Sequence, residues 1–538
     1  MTSIRLCAAA LFSACFVSAA LAAAETAVEP LMPIEDTWDI EDTHAEAASP
    51  LVSAMRLAGA PLAYDCDSNT FYCTLGMEQG DEWPELALTM EGADSLRAAW
   101  VDDYSYDSCR DAIAAGTRYD LITWTDTEEQ HIGIVFTGLP IAILSMDGGE
   151  LTREDLPGRF TVTSYGADTV SVPVYAHKRG RRNPEKFSAR IELHEDAADG
   201  IGGKQKLSLL GMPKDSDWLL MGTADDPFGV NNYMGWQVWR GFGDVITPLH
   251  SELCEVFFEN HYFGLYQLMQ RINADKELKR IGGNTKTDIV SRLVDGTEPD
   301  GKPLRTMGSK PNNSLEIRYL PKQVSEDNAF AVFRDAYRLL TIESGRTGEE
   351  ETDPLSDEEF TRLVLANFDL RNILENYVLE EAIDYYDNMS FSNNTYLWAL
   401  MQEDRSYRIY ISPWDLDNTF LPLYAYRADG TFAQEYLNGI SPAERILDLD
   451  IGGARSLLWE IWKEKRAGVL SDDALRSMVE STWHLLTDSG AGSRNLARWN
   501  PTDILPGKGD FEEYVVEHQY FVEENFEDRW PMETSEDK

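Results

Sequence analysis

Strand-like segments fill the first half of the chain and amphipathic helical segments the second, which predicts an α+β fold whose two lobes leave a cleft between them. Three observations carry this. Between 61 and 138, ELALTM, YDLITWT and HIGIVFT are short, rich in strand formers and closely spaced by turn residues, so a small all-β, sandwich-like domain is expected first. After 139 come RFTVTSY, VSVPVYA and FSARIEL, then CEVFFENHYFGLYQLM as a hairpin turning at Glu259-Asn260-His261. Helices then dominate, as in NAFAVFRDAYRLL, EFTRLVLANF and DLRNILENYVLEEAI. A length of 538 residues exceeds one ordinary core, so two or three domains are expected.

Taken in order, residues 1–24 read as a secretory signal peptide: Arg5, an apolar run, and Ala20-Leu21-Ala22 as the cleavage signal. A lipoprotein reading would use Cys15, against which stands Phe12 at the third position before it. Residues 25–60 are Ala-, Glu- and Pro-rich and read as a flexible lead-in. The 61–138 region shows no Ser/His/Asp set, metal cluster or Gly-rich loop, which suits a structural or adhesive role. From 139 to 530 the pattern is mixed, with NNYMGWQVWRGFG as a helix ending at Gly243. GIGGK at 200–204 lacks the spacing and the Ser/Thr of a phosphate-binding loop and reads as a turn. No segment after the leader approaches the roughly 20 apolar residues that span a bilayer.

With 47 basic and 93 acidic residues, the formal charge is −46. Such a surface repels nucleic acid and anionic lipid and attracts basic partners, although a solvated acidic coat is the plainer account. Removing the leader leaves Cys66, Cys73, Cys109 and Cys254. An even number in an exported chain predicts two disulfides out of three pairings, with Cys66–Cys73 favoured by its short loop and Cys109–Cys254 then following; buried free thiols are the alternative. Eight scattered histidines without HExxH, and no GxSxG, give zinc or serine hydrolases no support.

The chemistry concentrates late. Asp369 can cap the helix LRNILENYVLEEAI, which delivers Asp384-Tyr385-Tyr386-Asp387; a short loop with asparagines, the strands TYLWAL and YRIYIS, and Pro413-Trp414-Asp415 follow. A hairpin folds back on itself, so the residue before its first strand and the residue after its second come out side by side. Phosphoryl transfer needs one carboxylate to orient the attacking hydroxyl, and an amide oxygen plus another carboxylate to hold the nucleotide's metal. Hard oxygen donors of this kind suit Mg²⁺ or Mn²⁺.

Five stretches in order across roughly 139–530 resemble the CotH-type kinases, which have a diverged, two-lobed protein-kinase fold: RGRRNPEKFSARIEL, LLGMPKDSDWLLMG, the segment Asn232 to Gly243, CEVFFENHYFGLYQLMQRI, and DYYDNMSFSNNTYLW…PWDLD. The resemblance implies an N-lobe over about 139–272 and a C-lobe over about 273–530. It implies ATP with Mg²⁺ or Mn²⁺ as cofactors and Ser/Thr of an exported protein as substrate, with a catalytically silent surface or matrix binding protein as the alternative. Carried over, Asp387 is the catalytic aspartate, with Asp384 its competitor. Asn394, Asp415 and Asp417 are the metal ligands, Arg179, Gly180 and Lys186 lie at the phosphates, and Gln270 lies near the adenine. Gln270 stands where the family has Glu, and Phe187 where it has a second lysine.

Overall fold

The computed structural model describes residues 26–27, 45–101, 104, 107–180, 185–198, 200–222, 226, 229–294, 306–307, 314–342, 355–385, 394–420, 442–501 and 507–532. The leader expected over 1–24 lies outside them, as does Asp387. The chain divides into two units, one of 1–62, 85–103 and 120–132, the other of 63–84, 104–119 and 133–538, so that the 61–138 stretch is shared between them.

In the first unit, β1 (Thr26–Ala27), β7 (Leu88–Gly92), β3 (Val52–Leu57) and β4 (Ala60–Pro61) form one antiparallel sheet. Here β3, inside the stretch read as a lead-in, pairs with β7 from Leu57 opposite Leu88 to Val52 opposite Gly92 and buries Val52 and Met55. β2 (Ala45–Glu46) pairs with the start of β10 (Glu128–Thr137), and β8 (Arg97–Trp100) with β9 (Arg118–Trp124).

The second unit begins with a hairpin of β5 (Ala63–Asp65) and β6 (Thr70–Thr74), and the latter runs parallel to residues 133–137 of β10. A short helix α1 (Cys109–Ala115) is capped by the Ser108 side chain and closes at Gly116 in the left-handed region. The next strands are β11 (Ile141–Met146), β12 (Leu156–Thr163), β13 (Val170–Arg179), β14 (Ser188–Ala197), β15 (Gly200–Lys204), β16 (Asp217–Met221), β17 (Ser251–Phe258) and β18 (His261–Gln270). They form one sheet in the order β13-β12-β11-β17-β18-β16-β14-β15, and because β13 also pairs with β14 the first seven of these close into a ring, with β15 outside it. Only the β11–β17 contact within it is parallel. Closure removes sheet edges, and alternation sends one face inward. Leu144, Phe160, Val174, Ile191, Trp218, Cys254 and Leu268 fill that interior. The β17–β18 turn has Glu259 and Asn260 both in the left-handed region, which is the geometry a two-residue hairpin requires. GIGGK, expected as a turn, is the edge strand β15: it pairs with the overhang of β14 across a bulge, and its glycines leave this open edge without side chains to bury.

Helix α2 (Asn231–Gly241) ends near Gly243, as its pattern predicts. α3 (Ala274–Arg280) follows. A second, antiparallel sheet has the order β20 (Thr306–Met307), β21 (Ser314–Tyr319), β19 (Ile289–Val294), β22 (Thr395–Met401), β23 (Tyr407–Pro413). Helices α4 (Glu326–Ile342), α5 (Asp357–Asn367), α6 (Leu370–Ala382), α7 (Pro442–Asp448), α8 (Ala454–Arg466), α9 (Asp472–Thr487), α10 (Ala491–Trp499) and α11 (Lys508–Arg529) complete the unit. One large core joins α2, this sheet, the helices, and outward residues of the closed sheet such as Leu219, Leu265 and Met269. The predicted α+β class is therefore what the described residues have.

The two expected disulfides are absent, and all four cysteines are free. The register explains the first. Ala63 faces Tyr72, so Cys73 lies past that end of the hairpin while Cys66 lies in its turn. The separation is about four strand residues, roughly 13 Å, against the roughly 7 Å that a disulfide tolerates between Cα atoms. Cys254 is fully buried among the inward residues of the closed sheet, a cluster that contains nothing from the α1 segment bearing Cys109. Burial pushes the Cys73 thiol up to about 12 and that of Cys109 up to about 11, which keeps both protonated and inert.

Candidate functional site

Asp369 caps α6 by accepting from Asn372 N–H at 2.9 Å, as the sequence suggests. That helix is then fastened to β23: Asn372 accepts from Ile411 N–H at 2.6 Å and donates to Ile411 O at 3.1 Å. In the β22–β23 hairpin Thr395 faces Pro413, so Asn394 leads into one strand as Trp414 and Asp415 leave the other. Both Asn394 and Asp415 take left-handed backbone conformations, with φ of 50° and 61°. Asn and Asp are the non-glycine residues that most readily take this conformation, which suits both positions.

Several contacts hold this end of the hairpin. The Tyr385 hydroxyl, just past α6, donates to the carbonyls of Trp414 and Asp415, the latter at 2.9 Å. Asn232 of α2 is buried; it accepts from Leu416 N–H at 2.9 Å and donates to Gln267 Oε1 at 2.5 Å. Thr419 donates to Leu416 O at 2.9 Å and approaches Asn231 O at 3.3 Å. Gly235 allows the close approach of α2, since a Cβ there would stand 2.9 Å from that of Leu416. Asp417 accepts from the Asn418 amide at 3.2 Å. Leu416 is thus pinned on both its N–H and its C=O, and the carboxylates on either side of it are held with it.

Arg179, the last residue of β13, reaches the same place. Its guanidinium lies over the Trp414 ring, 5.5 Å from the centroid. Burial pulls it down to about 10, opposed by Asp415 and reinforced by Arg292, with Tyr396 opposing and Arg271 reinforcing further. Arg292 and Arg271 are each paired elsewhere, at 2.8 Å to Glu316 and 3.3 Å to Asp217. Arg179 thus lies among charges of both signs: Asp415 favours its cation, while Arg292 and Arg271, each with a carboxylate of its own, oppose it. Gly180 has φ 89° with open space where a side chain would be, and its carbonyl accepts from Arg153 at 3.1 Å.

Lys186 is buried and donates to Asn495 Oδ1 of α10 at 3.0 Å. Burial pulls its ammonium down to about 8, with Asp226 opposing. Asp226 accepts from Asn231 N–H at 2.6 Å, so the charge facing Lys186 also caps the helix that holds Leu416. Asn495 Oδ1 further accepts from Leu265 N–H at 3.1 Å, and α10 is anchored next door by a buried ion pair of Arg494 with Glu255 at 2.8 Å. Gln270 is spent on backbone: its amide nitrogen donates to Pro213 O at 3.0 Å and its oxygen approaches His250 N–H at 3.4 Å. A glutamate there could not make the donation to Pro213, which accounts for the amide.

Of the competing acids, Asp384 accepts from the Tyr514 hydroxyl of α11 at 3.2 Å, whereas Asp387 lies outside the described residues. Sequence reasoning missed Asn232, Tyr385, Arg271, Arg292 and Asn495. Of these only Arg292, in IVSRLV, stands in an apolar stretch, a signal that marks a polar role without saying which; the others lie among polar neighbours and carry no such mark. The donors present, an amide and carboxylates beside arginines, fit a hard divalent cation carrying phosphate. No curated protein matches the chain. The family model described as CotH kinase protein matches residues 178–525, from the end of β13 with Arg179 through α10 and into α11, and the chain belongs to that family.

Proposed function

We propose that this chain is an exported atypical protein kinase that transfers the γ-phosphate of ATP to serine or threonine hydroxyls of another exported protein. The observation that carries the reading is the convergence of Arg179 from the closed sheet with Asp415 and Asn394 at the open end of one hairpin. The closed sheet with α2 serves as one lobe and the helical part as the other. Asn394, Asp415 and Asp417 would hold Mg²⁺ or Mn²⁺, which when bound offsets charge on the nucleotide phosphates. Arg179, with Arg271 and Arg292 behind it and Lys186 just before β14, orients phosphate oxygens. Gly180 lets backbone approach them, and Gln270 lies toward the adenine.

Asp387 orients the attacking hydroxyl and takes its proton as the oxygen–γ-phosphorus bond forms and the bond to the leaving ADP oxygen breaks. One observation favours it over Asp384: the latter is already engaged by Tyr514.

The test is label transfer from γ-labelled ATP by the purified mature protein to itself and to a basic exported protein, with Mg²⁺ or Mn²⁺. Transfer that needs the metal is expected. A folded protein that shows neither transfer nor thermal stabilisation by the metal–nucleotide pair would instead be a silent, kinase-like binding protein.

A further inference from the structure

A second group of chemistry-bearing residues lies where the β5–β6 turn meets the β17–β18 turn. Cys66, Asp67 and His261 each bring one donor atom, and the three lie within 4.8 Å of one another. His261 Nδ1 stands 3.5 Å from Cys66 Sγ and 3.1 Å from Asp67 Oδ2. A tetrahedral zinc ion has bonds of about 2.3 Å to sulfur and about 2.0–2.2 Å to nitrogen and oxygen, so neighbouring ligands stand roughly 3.5 Å apart for sulfur–nitrogen and roughly 3.3 Å for nitrogen–oxygen. His261 Nδ1 already stands at that spacing from both partners, and Cys66 and Asp67 lie within 4.8 Å of each other.

The frame beneath them is fixed. Cys66 N–H donates to Asn260 O at 2.9 Å, and Tyr262 N–H to Asp65 Oδ1 at 3.1 Å, so the two turns are clipped together on either side of His261. Asp65 is buried and its other oxygen accepts from Ser68 at 2.5 Å, which holds the turn that carries Cys66 and Asp67. Ligands set on a rigid frame lose little freedom on binding. Cys66 and Asp67 are exposed and His261 is partly so, which leaves the fourth position open to water or an outside ligand.

We infer that Cys66, Asp67 and His261 bind a thiophilic divalent cation, Zn²⁺ by its borderline softness, with His261 Nδ1 as the nitrogen ligand. This site is separate from the residues of the proposed phosphoryl transfer and does not depend on that reading.

The acid-rich surface will bind divalent ions loosely at many carboxylates, so the readout must be the thiol. Cys73, Cys109 and Cys254 are buried, which leaves Cys66 as the exposed thiol among the four. In the native protein, a thiol-reactive disulfide reagent should modify one cysteine, and one equivalent of Zn²⁺ should slow that reaction at least about tenfold. Co²⁺ in place of Zn²⁺ should give a sulfur-to-metal charge-transfer absorption. Cys66→Ser should remove both the reactive thiol and the cobalt band. His261→Ala and the size-preserving Asp67→Asn should keep the thiol and lose its protection. The inference is overturned if Zn²⁺ leaves the wild-type thiol rate unchanged, or if it protects wild type and both ligand variants alike, since the acidic coat alone would then account for binding.

Discussion

Asn232 ties the segment Asp415–Asp417, proposed to hold metal, to the closed sheet, and its removal has a size that follows from its partners. Asn232→Ala deletes the acceptor of Leu416 N–H and the donor to Gln267 Oε1, both fully buried. Orphaning a buried polar group costs about 1–3 kcal/mol, so the pair should cost about 2–6 kcal/mol, a large part of the roughly 5–15 kcal/mol that holds a domain folded. Urea unfolding should show the midpoint falling with little change in slope. Leu416 sits between Asp415 and Asp417, so the folded fraction should also bind Mg-ATP about 10–100-fold more weakly, as expected for ligands displaced by about an ångström. Asn372→Ala is the matched control. It also removes two buried hydrogen bonds, to Ile411 in the middle of β23, whose carbonyl keeps Asn376 as a donor, and should cost somewhat less stability with a smaller effect on nucleotide affinity. The reasoning fails if Asn232→Ala costs under about 1 kcal/mol, or if it destabilises while leaving Mg-ATP affinity as it was.

Asp415→Ala should abolish metal-dependent nucleotide binding without unfolding the protein; unchanged Mg-ATP affinity in a folded variant would remove Asp415 from the metal site. Asp387→Asn should keep ATP binding and lower transfer by at least about 10²-fold, while Asp384→Asn, whose amide oxygen can still accept from Tyr514, should cost far less. Single-turnover transfer distinguishes the two, and the reverse order would exchange their roles. Lys186, pulled down to about 8, binds its proton less tightly folded than at the roughly 10.4 of a free lysine. Its charge therefore weighs against folding below pH 8, and that burden lifts as pH rises through 8 to about 10.4. Over the same rise it ceases to attract phosphate, so Mg-ATP affinity should fall above pH 8. Lys186→Met should bind more weakly at neutral pH and lack that fall; an alkaline fall kept in Lys186→Met would assign it to another group.

Local pattern was enough to place the cap Asp369, the helix before Asp384, both strands of the β22–β23 hairpin and its register, because a hairpin and a capped helix are decided by residues within a few positions of one another. From that register alone Asn394 and Asp415 fall together. What the sequence could not decide are the contacts between residues hundreds of positions apart: Arg179 over Trp414, Asn232 on Leu416, Lys186 on Asn495, and Cys66 beside His261. Counting cysteines suggested disulfides, whereas only the strand register shows Cys66 and Cys73 drawn apart, with the exposed thiol left facing a histidine. Closure of seven strands of the eight-stranded sheet into a ring belongs to the same class. It depends on β13 meeting β14 at the same time as β11 meets β17, and such a long-range pairing leaves no mark on either strand's own alternation.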